Sequence, residues 1–118
     1  MSDRIPTEIR LHRQSRLLEV RFGDETFELP CEYLRVYSPS AEVRGHGPGQ
    51  EVLQTGKENV TINAIEPVGN YAVKLCFDDG HDSGLYTWEL LYDLGARKHK
   101  LWQDYLERLQ QAGYRRRP

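Results

Sequence analysis

An alternation of apolar and charged residues early in the chain constrains the fold more than any other feature. Leu18, Val20 and Phe22 are apolar, and the residues between them are charged. This period of two is typical of a half-buried β-strand, because successive side chains of a strand point to opposite faces of the sheet. Shorter segments at residues 8–11 and 26–29 have similar patterns. The first third of the chain therefore predicts a small antiparallel meander.

The middle of the chain predicts two further strands, at residues 60–65 and 71–77. Before them, residues 45–50 contain three glycines and a proline, which is typical of a loop. Residues 31–36 are expected to form a short helical turn. Residues 38–42 are expected to form either a turn or the start of a brief helix.

Two helices are expected toward the C-terminus. Thr87 is placed to cap a short helix over residues 87–94, and Gly95 is expected to end it in a left-handed conformation. The last helix is expected over residues 97–112, because apolar residues recur on one face at helical spacing. These residues are Leu101, Trp102, Tyr105, Leu106 and Leu109. The stripe predicts packing in the core, and Gly113 is the expected stop.

Length and composition favour a single domain over residues 1–118. A chain of 118 residues falls in the ~100–150 range that is common for single domains. It has no run of ~18 apolar residues and no apolar N-terminal segment like that of a signal peptide. A cytoplasmic location without a membrane partner is therefore expected. Cys31 and Cys76 form neither a Cys-x-x-Cys pair nor a disulfide framework, so reduced thiols are expected.

The C-terminal end of the chain is basic, although the net charge is −2. From residue 97 onward, only Asp104 and Glu107 oppose the basic residues Arg97, Lys98, Lys100, Arg108, Arg115, Arg116 and Arg117. A basic tail can attract nucleic acid, but this tail lacks interleaved aromatic residues and the remainder of the chain is acidic. Residues 113–118 are therefore expected to be a frayed, solvated tail, and nucleic acid is not expected as a partner.

Two segments combine several residues of types that collect in turns and binding surfaces. Residues 77–88 read Phe-Asp-Asp-Gly-His-Asp-Ser-Gly-Leu-Tyr-Thr-Trp, and residues 34–42 read Leu-Arg-Val-Tyr-Ser-Pro-Ser-Ala-Glu. Together they resemble the domain found at the N-terminus of gamma-butyrobetaine hydroxylase, which also occurs alone in bacteria. The resemblance extends over residues 6–95. It implies an α+β fold with a mostly antiparallel, curved β-sheet, short helices and a C-terminal amphipathic helix.

The resemblance also bears on metal binding. In the hydroxylases, the histidine that corresponds to His81 joins three upstream cysteines on a structural zinc. Those cysteines fall in the segment that resembles residues 34–40, where this chain has none. His81 is thus the only match to the zinc ligands, and one ligand cannot hold a structural metal. We expect a degenerate zinc site with no metal and no cofactor, in which His81 forms hydrogen bonds that tie its turn to residues 38–40.

Known catalytic patterns are also missing from the sequence. The related dioxygenases bind iron through a His-x-Asp pair, but here the residues two positions after the four histidines are Gln14, Pro48, Ser83 and Leu101. Residues 55–58 partly resemble the end of a phosphate-binding loop. They do not match that motif, because Glu58 replaces the Ser or Thr that magnesium requires. In larger proteins the similar domain accompanies either the dioxygenase catalytic domain or P-loop iron–sulfur carriers. In neither setting does it carry the chemistry.

The sequence therefore favours a non-enzymatic protein-interaction or accessory module, linked to iron–sulfur or iron-enzyme assembly. Its expected binding face combines the loop at residues 45–50 with the turn at residues 79–88. The candidate surface consists of Arg35, His46, Asp79, His81, Asp82 and Trp88. The alternative is a metal- or small-ligand-binding domain centred on His81 and nearby acids. An exposed, metal-free patch would favour the first hypothesis, and coordination geometry around His81 the second.

Several of these residues also have purely structural interpretations. Arg35 can bind an acidic partner, or it can pair with Glu32 or Asp78 inside the domain. His46 can be a ligand or acid–base group, or simply a solvated loop residue. The Asp-Asp-Gly sequence at residues 78–80 can bind a divalent cation, but it is also favourable hairpin chemistry.

Overall fold

The computed structural model describes residues 5–45 and 49–117, which form two three-stranded antiparallel sheets and four helices. The first sheet has the order β1-β2-β3, with β1 at Glu8–His12, β2 at Leu17–Phe22 and β3 at Glu25–Pro30. The second has the order β4-β5-β6, with β4 at Ile62–Val68, β5 at Ala72–Phe77 and β6 at Leu85–Thr87. The helices are α1 (Cys31–Val36), α2 (Ala41–Arg44), α3 (Trp88–Ala96) and α4 (Lys98–Gln111). None of these helices has the length and apolar character needed to cross a membrane.

The predicted α+β class, the N-terminal meander and the C-terminal helix are confirmed. In the meander, Leu18 of β2 pairs with Leu29 of β3, and Val20 pairs with Phe27. The main core cluster joins side chains from both sheets with side chains from α1 and α3, and includes the fully buried Leu18, Val20, Leu29, Tyr33, Leu34, Ile62, Leu75, Tyr86 and Leu91. The two sheets and two of the helices therefore share one hydrophobic core.

The second sheet differs from the sequence prediction at two places. Strand β4 begins at Ile62, two residues later than predicted, and continues past residue 65, through Pro67 to Val68. Proline is tolerated there because β4 is an edge strand, where one side of the backbone needs no ladder partner. Strand β6 has only three residues and lies within the predicted turn at residues 79–88. A strand of that length is too short to show a period of two.

The predicted end of the first C-terminal helix at Gly95 is wrong. Helix α3 continues to Ala96, and Gly95 does not have a positive φ. A Cβ atom at Gly95 would lie only 2.3 Å from Cγ of Phe27 on β3. The glycine therefore allows α3 to pack directly on the Phe27 ring. The predicted N-cap is confirmed, since the Thr87 hydroxyl accepts a 3.2 Å hydrogen bond from the N–H of Leu90.

Helix α4 ends at Gln111, and Gly113 follows its C-cap as the stop that the sequence predicts. Gly113 has a φ of +77°, and its N–H donates to the carbonyl of Gln110 at 3.0 Å. The N–H of Tyr114 donates to the carbonyl of Leu109 at 2.9 Å. These two bonds form a Schellman motif, which satisfies carbonyl groups that the end of a helix leaves without partners.

The C-terminal tail contacts the body of the domain, although the sequence predicts that it frays. The guanidinium group of Arg116 donates two hydrogen bonds, of 2.6 and 2.8 Å, to the carboxylate of Glu32. It also lies 5.3 Å from the centre of the Trp102 ring. A second, smaller core cluster consists of Val36, Tyr105 and Leu109. Trp102 is only partly buried and packs against both core clusters, whereas Tyr105 of the same stripe is buried.

Candidate functional site

His81 is the buried centre of a polar network that joins the turn after β5 to the connection between α1 and α2 and to the exposed Glu42 of α2. The residue is 5% exposed. Its Nε2 atom lies 2.8 Å from Oγ of Ser38, and its Nδ1 atom lies 2.9 Å from Oε1 of Glu42. Because a carboxylate only accepts, Nδ1 donates to Glu42, and in the neutral ring the Ser38 hydroxyl donates to Nε2. The predicted tie between His81 and residues 38–40 is confirmed.

Neighbouring small and polar residues extend this network. The N–H of Ser40 donates to Oγ of Ser38 at 3.2 Å, and Oγ of Ser40 lies 2.7 Å from Oγ of Ser83. The Ser40 hydroxyl also caps α2 by accepting a 3.2 Å hydrogen bond from the N–H of Glu42. A Cβ atom at Gly84 would lie 2.5 Å from Oγ of Ser38. A glycine is therefore required for the turn to approach this segment so closely.

A second polar cluster fixes the start of the same turn. Arg35 donates from Nε to Oδ2 of Asp79 at 2.9 Å, and Lys57 donates to the same oxygen at 2.6 Å. Arg35 thus pairs with Asp79 and not with either acid considered from the sequence. Burial alone would raise the pKa of Asp79, but hydrogen bonds from Lys57, the His81 amide and Arg35 outweigh it and lower the pKa to about 2. Asp79 is therefore a charged structural partner at neutral pH.

The chain of hydrogen bonds from Ser38 through His81 to Glu42 has the connectivity of a hydrolytic triad. A nucleophilic serine must reach its substrate, however, and Ser38 is 0% exposed. Its oxygen already accepts the N–H of Ser40, and Gly84 packs closely against it. In this conformation the three residues serve as a structural tie and present no nucleophile.

The same residues do not fit the structural zinc of the hydroxylases. Both ring nitrogens of His81 are engaged by oxygen atoms of Ser38 and Glu42, and no thiolate is among the donors of this network. Within residues 5–45 and 49–117, no group of three or more His, Cys, Asp or Glu side chains could hold a metal ion. The donor set favours hydrogen bonding over coordination of zinc.

The structure divides the interaction surface that the sequence predicts. Arg35 and His81 are buried, so the expectation that they belong to an exposed patch is wrong, and their side chains support the turn from inside. Asp82 is exposed on the turn. Trp88 donates its ring N–H to the backbone carbonyl of Asn70, in the connection between β4 and β5 and at the opposite end of β5 from the histidine turn. His46 lies outside the described residues.

A groove beside α4 was not anticipated from the sequence. It has a volume of about 190 Å³ and is lined by Pro30, Tyr33, Lys98, His99 and Trp102. The Tyr33 and Trp102 rings meet edge to face, with centroids 6.2 Å apart. The aromatic stripe of α4 is the sequence feature that could have indicated the groove. The sequence prediction places the whole stripe in the core. Nothing in the local pattern indicates that Pro30 lies beside the start of α4.

These features define a small α+β domain whose histidine turn is fastened by hydrogen bonds. Residues 9–92 match the family model described as gamma-butyrobetaine hydroxylase-like, N-terminal. The chain therefore belongs to the gamma-butyrobetaine hydroxylase-like N-terminal family, as the sequence resemblance predicted. Among curated proteins, no significant match to the chain is found.

Several solved structures are similar to this chain over most of its length. Two proteins with NMR solution structures are 56% and 57% identical, with TM-scores of 0.85 and 0.84. The alignments cover 98% of this chain and 91% of the first protein, and 100% of this chain and 89% of the second. A protein of unknown function from Acidithiobacillus ferrooxidans, in the DUF971 family, is 43% identical. Its crystal structure gives a TM-score of 0.64, with 77% of this chain and 92% of that chain covered.

Proposed function

We propose that this protein is a non-enzymatic module that binds another protein through the groove beside Trp102. The observation that carries the proposal is the partly exposed Trp102 ring in this groove, with the buried Tyr33 ring behind it. Tryptophan, tyrosine and arginine are the residues most enriched among interface hot spots. Here Tyr33 and Trp102 line the groove, and the Arg116 guanidinium lies on the Trp102 ring.

The network around His81 supports a role without catalysis. Side chains of catalytic type are present, but Ser38 and His81 are buried and hydrogen-bonded to each other. Their contacts stabilise the fold and leave neither the Ser38 hydroxyl nor the His81 ring open to a substrate. The alternative, a ligand-binding domain centred on His81, draws no support from this geometry, because both ring nitrogens already have partners.

The proposed setting is the assembly of iron–sulfur clusters or iron enzymes. This part of the proposal rests on the family resemblance, in which similar domains accompany P-loop iron–sulfur carriers or a dioxygenase catalytic domain. An accessory domain in such a system contributes recognition, and its partner supplies the chemistry. We therefore expect components of iron cofactor assembly among the proteins that bind this chain.

The test is quantitative capture from a native lysate of the source organism, using the full chain. His99→Trp adds a bulky ring at the rim of the groove, and Gln110→Trp adds the same ring at an exposed position near the other end of α4. A third variant, Asp82→Lys, alters the exposed part of the histidine turn. Each variant is first checked for a native NMR spectrum.

We expect at least one protein to be captured by the parent and by Gln110→Trp, and to be lost with His99→Trp. Loss with Asp82→Lys alone would move the binding surface to the turn and keep the interaction function. Capture of the same proteins by all four chains, or of none by the parent, would contradict the proposal.

A further inference from the structure

The size of the groove beside Trp102 indicates what kind of group can enter it. Its volume of about 190 Å³ is below the ~300–1,000 Å³ that small-molecule pockets occupy. The groove is therefore suited to a single side chain of a partner. The accessible lining from Pro30 and Trp102 is mainly carbon surface, which favours an aromatic side chain or leucine.

The charges at the start of α4 are unusual for a helix. Its first turn contains Lys98 and Lys100, with no acidic residue and no side-chain cap. The N-terminus of a helix carries partial positive charge, so a cation there is electrostatically unfavourable. This arrangement costs helix stability and concentrates positive potential beside the groove. Local conflicts of this kind are typical of functional surfaces.

Within residues 5–45 and 49–117, other cations near the groove form ion pairs inside the domain, whereas Lys98 forms none. The internal ion pairs are Arg97 with Asp93, Lys100 with Asp104, and Arg116 with Glu32. The ammonium of Lys98 instead donates to the backbone carbonyl of Glu28 at 2.7 Å, and that carbonyl carries no net charge. His99 is exposed. Among the described residues near the groove, the positive charge that has no acidic partner is therefore that of Lys98, which lines the groove itself.

From this geometry we infer that the groove binds an acidic segment of a partner protein, which inserts one aromatic or leucine side chain beside Trp102. The apolar lining supplies affinity for the inserted side chain. Lys98, together with the N-terminus of α4, selects carboxylates on either side of it. This inference rests on the proposed function and adds the chemistry of the partner.

A peptide selection tests the inference without knowledge of the partner. A random library of 12-residue peptides is displayed and selected on the full chain, and enriched peptides are synthesised with a fluorescent label. Their Kd values are measured for the parent, Lys98→Glu and Lys100→Glu. Lys100→Glu is the matched control, since it makes the same charge change two residues further along α4, at a residue that does not line the groove. An acid at position 98 suits the helix N-terminus, so Lys98→Glu is expected to fold.

We expect the selected peptides to have acidic residues around one aromatic residue or leucine. Their Kd should rise at least ~10-fold for Lys98→Glu and less than ~2-fold for Lys100→Glu. The affinity of the parent for these peptides should fall as the salt concentration rises. In NMR titrations, the indole N–H signal of Trp102 should shift while that of Trp88 stays in place.

Neutral or basic peptides that shift the Trp102 signal would overturn the acidic partner and leave the proposed function standing. Failure to select any peptide, or binding that leaves Trp102 unchanged, would overturn the inference of a docked segment. The proposed function is judged separately, by whether His99→Trp abolishes capture of a native protein.

Discussion

Nε2 of His81 and Oγ of Ser38 lie 2.8 Å apart, although 43 residues separate them in the sequence. The contact fastens the turn after β5 to the segment between α1 and α2. Ser38 is fully buried, so its hydroxyl is shielded from solvent in the folded protein. The pair therefore stabilises the fold through a hydrogen bond inside the domain.

Replacing His81 by alanine should lower the free energy of unfolding by roughly 1–3 kcal/mol, the cost of leaving a buried polar group without its partner. Urea denaturation at pH 7 measures the change. Asp82→Ala, at the exposed neighbouring position, is the control and should stay within about 0.5 kcal/mol of the parent. Equal stability of both variants would mean that His81 does not hold the turn.

The ion pairs of Asp79 should give the protein a defined sensitivity to acid. The pKa of this carboxyl is lowered to about 2 in the folded state, against an ordinary value near 4. A carboxyl with a lowered folded-state pKa stabilises the protein above its unfolded-state pKa, and this stabilisation is lost as the pH falls through the folded-state pKa.

Asp79→Asn should therefore be less stable than the parent at pH 7, and the difference should shrink between about pH 4 and pH 2. Free energies of unfolding of the two chains at a series of pH values measure this difference. Carboxyls common to both chains cancel in the comparison. A difference that stays constant down to pH 2 would contradict the assigned ion pairs.

If the C-terminal tail contacts the domain, a substitution in the tail should lower stability. A frayed tail, as expected from the sequence, would show no such effect. Glu32 is 7% exposed, and its carboxylate accepts two hydrogen bonds from Arg116 of the tail. Arg116→Ala should cost roughly 1–3 kcal/mol, because it leaves a buried carboxylate without its cation. Arg115→Ala removes an adjacent exposed charge and should be nearly neutral. If thermal melts of the two variants coincide with that of the parent, the tail is frayed in solution.

Local patterns account for what could be predicted from the sequence. The strands of the meander follow from alternation, the cap at Thr87 from its hydroxyl, and the stop at Gly113 from its freedom to adopt positive φ. Each of these depends on residues that are close together in the chain. The tie between His81 and residues 38–40 was also predicted, because the family resemblance brought the two segments together.

The features that could not be predicted depend on contacts between distant segments. Gly95 resembles a helix stop in sequence, but the ring of Phe27, 68 positions earlier by number, determines its role. The groove exists because the end of β3 meets the start of α4, where Lys98 contacts a carbonyl 70 residues away. Arg35 has a typical recognition side chain, and only the fold shows that it is buried.

The central claim is that hydrogen bonds around His81 fasten the turn and that no metal is needed to fold the domain. Elemental analysis of the purified full chain, combined with thermal melts in the presence and absence of a strong chelator, tests this claim most directly. We expect no stoichiometric zinc and coincident melting curves. Stoichiometric zinc, together with a loss of several degrees in Tm on chelation, would contradict it.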